Sequence, residues 1–248
     1  MPIKNFKKKS DMNFMYFPRN KSIPDHLIEL LKKFDENYDK LNPSHLSDLI
    51  SDYKQKHENY KKDLAEEIKV FSNDPATKTL SKDEKKAIRK QITTDVKKRH
   101  DMNKRYKDWQ LNSNDALKEM YPYLKALGYE VETTGSRIQV PVLYGKNGKV
   151  EKYFNADAYH ETNLTVIEIE AGQAVINYKF LKDLFEACLM QDVKYLVIAV
   201  RNIYITRDNK TGKLKEQNDF DTVETFFHAM YSCDELKTPL DGILLIGY

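Results

Sequence analysis

The stretch "FNADAYHETNLTVIEIEAGQ", Phe154 to Gln173, carries four carboxylates in 20 residues, yet much of it is patterned as buried strand. Glu168 and Glu170 interrupt the apolar run Leu164-Thr165-Val166-Ile167-Glu168-Ile169-Glu170. Side chains alternate along a strand, so Glu168 and Glu170 project to one face and Ile167 and Ile169 to the other. An unpaired buried carboxylate is costly, so two on one face require a cation or water. Across the "HETN" turn Asp157 is expected to fold back beside Glu168, bringing three carboxylates to one end of a twisted hairpin. Hard divalent cations take such oxygen ligands, and Mg²⁺ typically uses one or two protein carboxylates with waters and substrate phosphate.

The flanking residues alternate strand and helix patterns. "RIQVPVLYG" and "VEKYFNADAYHE" have period 2 and flank "KNGK", whose Asn-Gly is a strong hairpin signal. "LTVIEIEA" is the third strand. "VINYKFLKDLFEACLMQD" is an amphipathic helix, "VKYLVIAVRNIYI" a buried strand, "DTVETFFHAMYSC" a helix and "GILLIGY" a last strand. A hairpin followed by strand-helix-strand crossovers predicts a mixed sheet with helices on both faces. A right-handed crossover sets "VKYLVIAV" parallel to "LTVIEIEA".

Before this region the pattern is helical. "SIPDHLIELLKKF" opens on a start signal, and "NPSHLSDLISDYKQKHENYKKDLAEEIKVF" continues with apolar residues three and four apart. After the turn-rich "SNDPATKTLSKDE", Ser81 and Glu84 have capping-box spacing ahead of a basic helix expected over roughly Lys82 to Trp109. "NSNDALKEMYPYLKALGYEVE" is a further helix, stopped at Gly128. Residues 1–21 read as a flexible arm. Charge divides the chain similarly: residues 1–110 hold 26 Lys and Arg against 18 Asp and Glu, and the remaining 138 hold 15 against 20. From Lys82 to Lys107 there are 11 basic and four acidic residues. The asymmetry suggests a basic helical region at 1–110 that carries an acidic domain at 111–248 toward a polyanion.

Asp157, ten residues, then Glu168-Ile169-Glu170 at the end of an apolar strand resembles the motif of the PD-(D/E)xK nuclease superfamily. In that superfamily an acid precedes a strand ending in acid-x-lysine, with a helix and a buried strand following. Ala156 stands where proline often occurs, and Glu170 stands where lysine is usual, which is similar to a variant found in some type II restriction endonucleases. The resemblance covers roughly Asn112 to Tyr248, and its helix-first order offers Glu119 as an auxiliary acid. It implies an α/β (α+β) fold: a restriction-endonuclease-like mixed sheet flanked by helices and preceded by an N-terminal helical region.

The resemblance further implies Mg²⁺-dependent hydrolysis of DNA phosphodiesters. Asp157 and Glu168 would hold the metal with the Ile169 carbonyl, and Glu170 would orient or deprotonate the attacking water. Lys179 and Lys182, on the helix after the motif, are placed to meet phosphates, and Gln173 and Asn177 to offer amides to base edges. Arg201, Asn202, Arg207 and Lys210, in "RNIYITRDNKTGKLKEQND", are further candidate DNA contacts. His160 points away from Asp157 in a regular strand and is read as non-catalytic. The partner would be double-stranded DNA, and a palindromic site would call for a homodimer, for which the apolar faces of the helices at 23–71 are candidates. Another nuclease of the superfamily, in repair, junction resolution or phage defence, and a non-catalytic basic nucleic-acid-binding protein remain the alternatives.

The composition excludes other classes. No apolar run approaches the ~20 residues that a membrane helix needs. The basic N-terminus lacks a secretory apolar core, and Cys188 and Cys233 lack metal-like spacing, so a cytoplasmic chain with reduced thiols is expected. There is no Ser/His/Asp arrangement, no phosphate-cradling glycine loop and no zinc spacing. Replacing Lys97, Lys98 and Arg99 together with Ala is expected to weaken DNA binding uniformly across sequences. Each lost phosphate contact should flatten the slope of log K against log salt by roughly 0.9 on duplex DNA. An unchanged slope in a binding titration would reduce these residues to a solvated face.

Overall fold

The structure, a computed structural model, describes residues 6–42, 46–102, 109–172, 174–208 and 211–248. In chain order the elements are β1 (Asn13–Phe17), α1 (Asp25–Glu36), α2 (Tyr38–Leu41), α3 (Leu46–Asn73), α4 (Lys82–Arg99), α5 (Ser113–Ala126), β2 (Glu130–Val131), β3 (Ile138–Tyr144) and β4 (Val150–Ala156). They continue with β5 (Ala158–His160), β6 (Thr165–Glu170), α6 (Lys179–Leu189), β7 (Tyr195–Val200), β8 (Tyr204–Arg207), β9 (Leu214–Gln217), α7 (Asp219–Tyr231) and β10 (Gly242–Gly247).

The chain forms two compact units, one of Met1–Pro43, Gln110–Ile205 and Glu216–Tyr248, the other of Ser44–Trp109 and Thr206–Lys215. This partition differs from the division near residue 110 that charge suggested, because Phe6–Asn42 cluster with the sheet. The expected arm at 1–21 contains β1, which pairs antiparallel with β10 from Asn13↔Gly247 to Phe17↔Ile243. Met12 and Phe17 are fully buried there.

The first unit is a mixed α/β structure around a six-stranded sheet of order β1-β10-β7-β6-β5-β2. The centre, β10-β7-β6, is parallel, and β6 meets β7 in the register Thr165↔Tyr195 to Glu170↔Val200. Central parallel strands are covered on both faces and so read as unbroken apolar runs, which is the character of "YLVIAV" and "GILLIG". On one face Ile167, Ile169, Val197 and Ala199 pack with Leu27, Leu30 and Phe34 of α1 and Leu117, Met120 and Leu124 of α5. On the other, Val166, Leu196, Ile198 and Val200 pack with Phe180 and Leu184 of α6 and Val223 and Phe227 of α7. The apolar face of α1 thus lies within the core, which removes it as a dimer surface.

The "KNGK" hairpin forms as expected, with Asn147 at φ 59° and Gly148 at φ 71°, but β3 and β4 make a separate two-stranded sheet. The long strand expected at 150–161 is consequently broken, with β4 in one sheet, β5 in the other and Asp157 at the corner. After β6, Gly172 adopts φ +105° directly against the Tyr204 ring; a Cβ there would meet a ring carbon at 2.0 Å. Only glycine fits this turn away from the strand.

In the second unit α3 and α4 run antiparallel. The pairing follows from Arg99 to Glu67 (2.6 Å) and His100 to Asp63 (2.8 Å) at one end, and from the Arg89 guanidinium donating to the Ser72 hydroxyl (3.4 Å) at the other. The Ser81–Glu84 capping box is present in both of its bonds. No described helix is long and apolar enough to cross a membrane.

Phe227 is fully buried and lies edge-on to Phe17 and Phe180, with ring centroids 5.6 and 6.0 Å away. Phe227→Ala is expected to destabilise the sheet unit by about 3–5 kcal/mol. Denaturant unfolding measures this, and a loss below about 1 kcal/mol would mean the α7 face is not packed as described.

Candidate active site

The β5/β6 ladder runs from His160↔Thr165 to Ala158↔Ile167, so the next step sets Asp157 opposite Glu168. Asp157 is held there by two bonds. Its backbone carbonyl accepts from the Glu132 N–H at 2.8 Å, and its Oδ2 accepts from the Ile169 N–H at 2.7 Å. The carboxylate thus takes the place of a ladder carbonyl where the chain changes sheets. Burial pushes the Asp157 carboxyl up to about 6; the Ile169 N–H works against this, and Glu132 and Glu170 add to it.

Glu168 and Glu170 share the α6 side of β6 with Val166, whereas Ile167 and Ile169 enter the opposite core. Burial holds the Glu168 carboxyl well above the ordinary carboxylate range; Asp157 and Asp183 raise it further, and Lys182 opposes them. Glu170 is also raised by burial, with Lys179 counteracting. The Lys179 ammonium, in the first turn of α6, stands 3.5 Å from both Glu170 carboxylate oxygens. The fold therefore supplies a cation beside the motif position that sequence reading found to lack one.

Sequence reading missed Asp183. Phe180, Asp183, Leu184 and Ala187 are the buried stripe of α6, so Asp183 replaces an apolar residue on the side turned toward the sheet. It is 6% exposed, its Oδ2 has no hydrogen-bond partner, and Lys182 Nζ lies 3.8 Å from its Oδ1. Burial and then Glu170 push its carboxyl up to about 7. The available signal was an acid at helical spacing among "F-x-x-D-L-x-x-A". Among the described residues no group of three or more His, Cys, Asp or Glu stands as a ready metal-ligand set, so the expected convergence of three carboxylates is not preformed.

Glu119 is exposed on α5, which packs on the Ile167/Ile169 face, so it does not join the carboxylates. Arg201 is not a surface contact: it is 0% exposed, donates to the Leu111 carbonyl, and lies 5.2 Å from the Tyr248 ring centroid. Asp219, fully buried, accepts from Gln217 at 2.6 Å; burial raises its carboxyl to about 6 and Arg201 opposes that shift. Asn202 is occupied structurally, donating to the Asp11 carbonyl and accepting from Asn13. Arg207 donates to the Met102 carbonyl within the second unit. Asn177 is exposed at φ 58° just before α6. Lys182 bonds Glu186 at 2.9 Å, with 65% of its side chain exposed. Lys97, Lys98 and Arg99 are exposed on α4, and Arg99 pairs with Glu67. Gln173 and Lys210 lie outside the described residues. His160 accepts from the Asn163 N–H at 3.2 Å and packs edge-on against Tyr129, which is a turn-holding role.

No family model, no curated protein and no solved structure matches this chain.

The raised carboxyls have a consequence for stability. A group whose folded pKa lies above its unfolded value stabilises the fold below the unfolded pKa and loses that contribution as pH rises through the folded one. For Asp157 and Asp183 the window runs from the ordinary aspartate value of 3.8 up to about 6 and about 7. In EDTA the melting temperature is therefore expected to fall by roughly 5–10 °C between pH 5 and pH 8, at the usual few degrees per kcal/mol. Asp183→Asn should flatten that profile; a steep profile retained by the variant would place the titration elsewhere.

Proposed function

We propose that the sheet unit is a magnesium-dependent nuclease of the PD-(D/E)xK type that hydrolyses phosphodiester bonds in double-stranded DNA. The observation that carries this reading is the Asp157 carboxylate, one step beyond the Ala158↔Ile167 pair, accepting from the Ile169 N–H between Glu168 and Glu170 on β6. The chemistry of the donors fits a hard divalent cation. They are carboxylates withdrawn from water, mutually repelling, and Asp183 Oδ2 beside them has no partner.

Asp157 and Glu168 would hold Mg²⁺. When bound, the ion supplies neutralisation of phosphate charge and a water of lowered pKa. Asp157 is kept aligned by the Ile169 N–H, which fixes its carboxylate plane against the strand. Glu170 accepts the proton of the attacking water; its raised pKa makes it a stronger base at neutral pH than an exposed glutamate. Lys179 supplies the positive charge that the commoner family pattern draws from lysine in the motif itself. The basic residues of α4 contribute phosphate contacts.

Within this reading a sequence-specific type II restriction enzyme is the favoured form, acting as a homodimer in the cytoplasm, because defined cuts in palindromic DNA require base readout and two-fold symmetry. A non-catalytic nucleic-acid-binding role is favoured by one observation: Asp157 Oδ2 already has a structural partner.

Plasmid cleavage with and without EDTA separates the two readings. Glu168→Ala is expected to abolish cleavage while leaving DNA binding within a few fold of wild type. Lys179→Met should slow single-turnover cleavage by about two orders of magnitude with the Mg²⁺ requirement unchanged. Glu170→Gln should lose about two to four orders. Wild-type rates in the Glu168 variant, or cleavage that persists in EDTA, would remove the proposed site.

A further inference from the structure

We propose that Asp183 is a ligand of the divalent cation, facing Glu168 from α6 and completing the site across the helix–sheet interface. The inference rests on the nuclease reading and extends it to a residue outside the motif. Phe180, Leu184 and Ala187 mark the side of α6 that packs on the sheet, and Asp183 lies on that stripe. Glu168 and Glu170 lie on the sheet face that this stripe covers, alternating with the Ile167 and Ile169 side chains that leave it. A carboxylate in such a place normally finds a donor. Asp183 does not: it is 6% exposed and its Oδ2 has no hydrogen-bond partner. The neighbouring Lys182 is not that donor, because its ammonium bonds Glu186 at 2.9 Å and stands 3.8 Å from the other Asp183 oxygen.

Two ligands bridging α6 and β6, with water completing an octahedral shell, match what Mg²⁺ ordinarily takes from protein. Asp157 has one oxygen committed to the Ile169 N–H, which leaves its other oxygen for the ion or a bound water. Glu168, on the sheet face, and Asp183, on the α6 stripe that covers it, are two anions turned toward one helix–sheet interface. A divalent cation between them would offset that like-charge repulsion.

The test uses Mn²⁺ as the probe, with binding to the full chain without DNA followed by electron paramagnetic resonance. Thermal melting is recorded in EDTA and in Mn²⁺. Wild type, Glu168→Ala, Asp183→Asn and Asp183→Ala are compared. Loss of an outer-shell partner already costs about 10–100-fold in metal affinity, so both Asp183 variants are expected to bind Mn²⁺ at least about tenfold more weakly. They should also melt no lower than wild type in EDTA, because an unpaired buried carboxylate has been removed, and gain little on adding Mn²⁺. Wild-type affinity in both Asp183 variants, with weakened binding in Glu168→Ala, would overturn the role of Asp183 and leave the nuclease reading standing. If both Asp183 variants melt well below wild type in EDTA, Asp183 is a structural group and the proposal fails. Absence of Mn²⁺ binding by wild type would overturn this inference together with the metal-dependent reading.

Discussion

The Asp157 carboxylate does the work of a backbone group. Where the chain leaves the β3/β4 hairpin and joins the six-stranded sheet, the ladder between β5 and β6 stops at Ala158↔Ile167. The Ile169 N–H beyond it would be an unsatisfied donor in a buried strand; Asp157 Oδ2 accepts from it at 2.7 Å instead. A charged acceptor strengthens such a bond and shortens it. The same contact stations a carboxylate opposite Glu168, so the corner that closes the sheet also begins the acidic site.

Burial and neighbouring acids around that corner raise the cost of negative charge, and the Ile169 N–H, Lys179 and Lys182 offset only part of it. Glu168 and Glu170 leave the Val166 side of β6 beneath α6, and α6 returns a third carboxylate, Asp183, toward the same face. Two ammonium groups stand close by, both partly exposed: Lys179 pairs with Glu170, and Lys182 is shared between Asp183 and Glu186. Partly exposed ion pairs contribute little. The fold therefore holds these acids where the flanking residues are apolar, and the apolar core on either side carries that cost. Such a balance of strain against packing is common at sites that bind ions or move protons.

Much of this was readable from local sequence because local rules govern it. Period-2 alternation in "LTVIEIEA" put Glu168 and Glu170 on one face, and continuous apolar runs marked the central parallel strands. The Asn-Gly hairpin and the Ser81–Glu84 box formed as their chemistry dictates. What escaped depends on distant partners. "NFMYF" follows a lysine-rich start and becomes a strand only by pairing with β10, some 230 residues later. Arg201 reads as a loop cation, but the Leu111 carbonyl and the Tyr248 ring enclose it. The break between β4 and β5 arises because the hairpin leaves the main sheet, which no local pattern records. Asp183 escaped for a different reason: it sits within a good amphipathic helix, and a single acid on the apolar stripe looks like noise until the helix docks.

Crystals of the full chain grown with a DNA duplex and Mn²⁺ provide the most direct test, through anomalous scattering from the ion. An anomalous peak is expected at the C-terminal end of β6, within ligand distance (about 2.0–2.6 Å, the range for hard cations) of Glu168, beside Asp157 and under α6. A duplex bound with no ion at this position, or an ion held elsewhere on the chain, would contradict it.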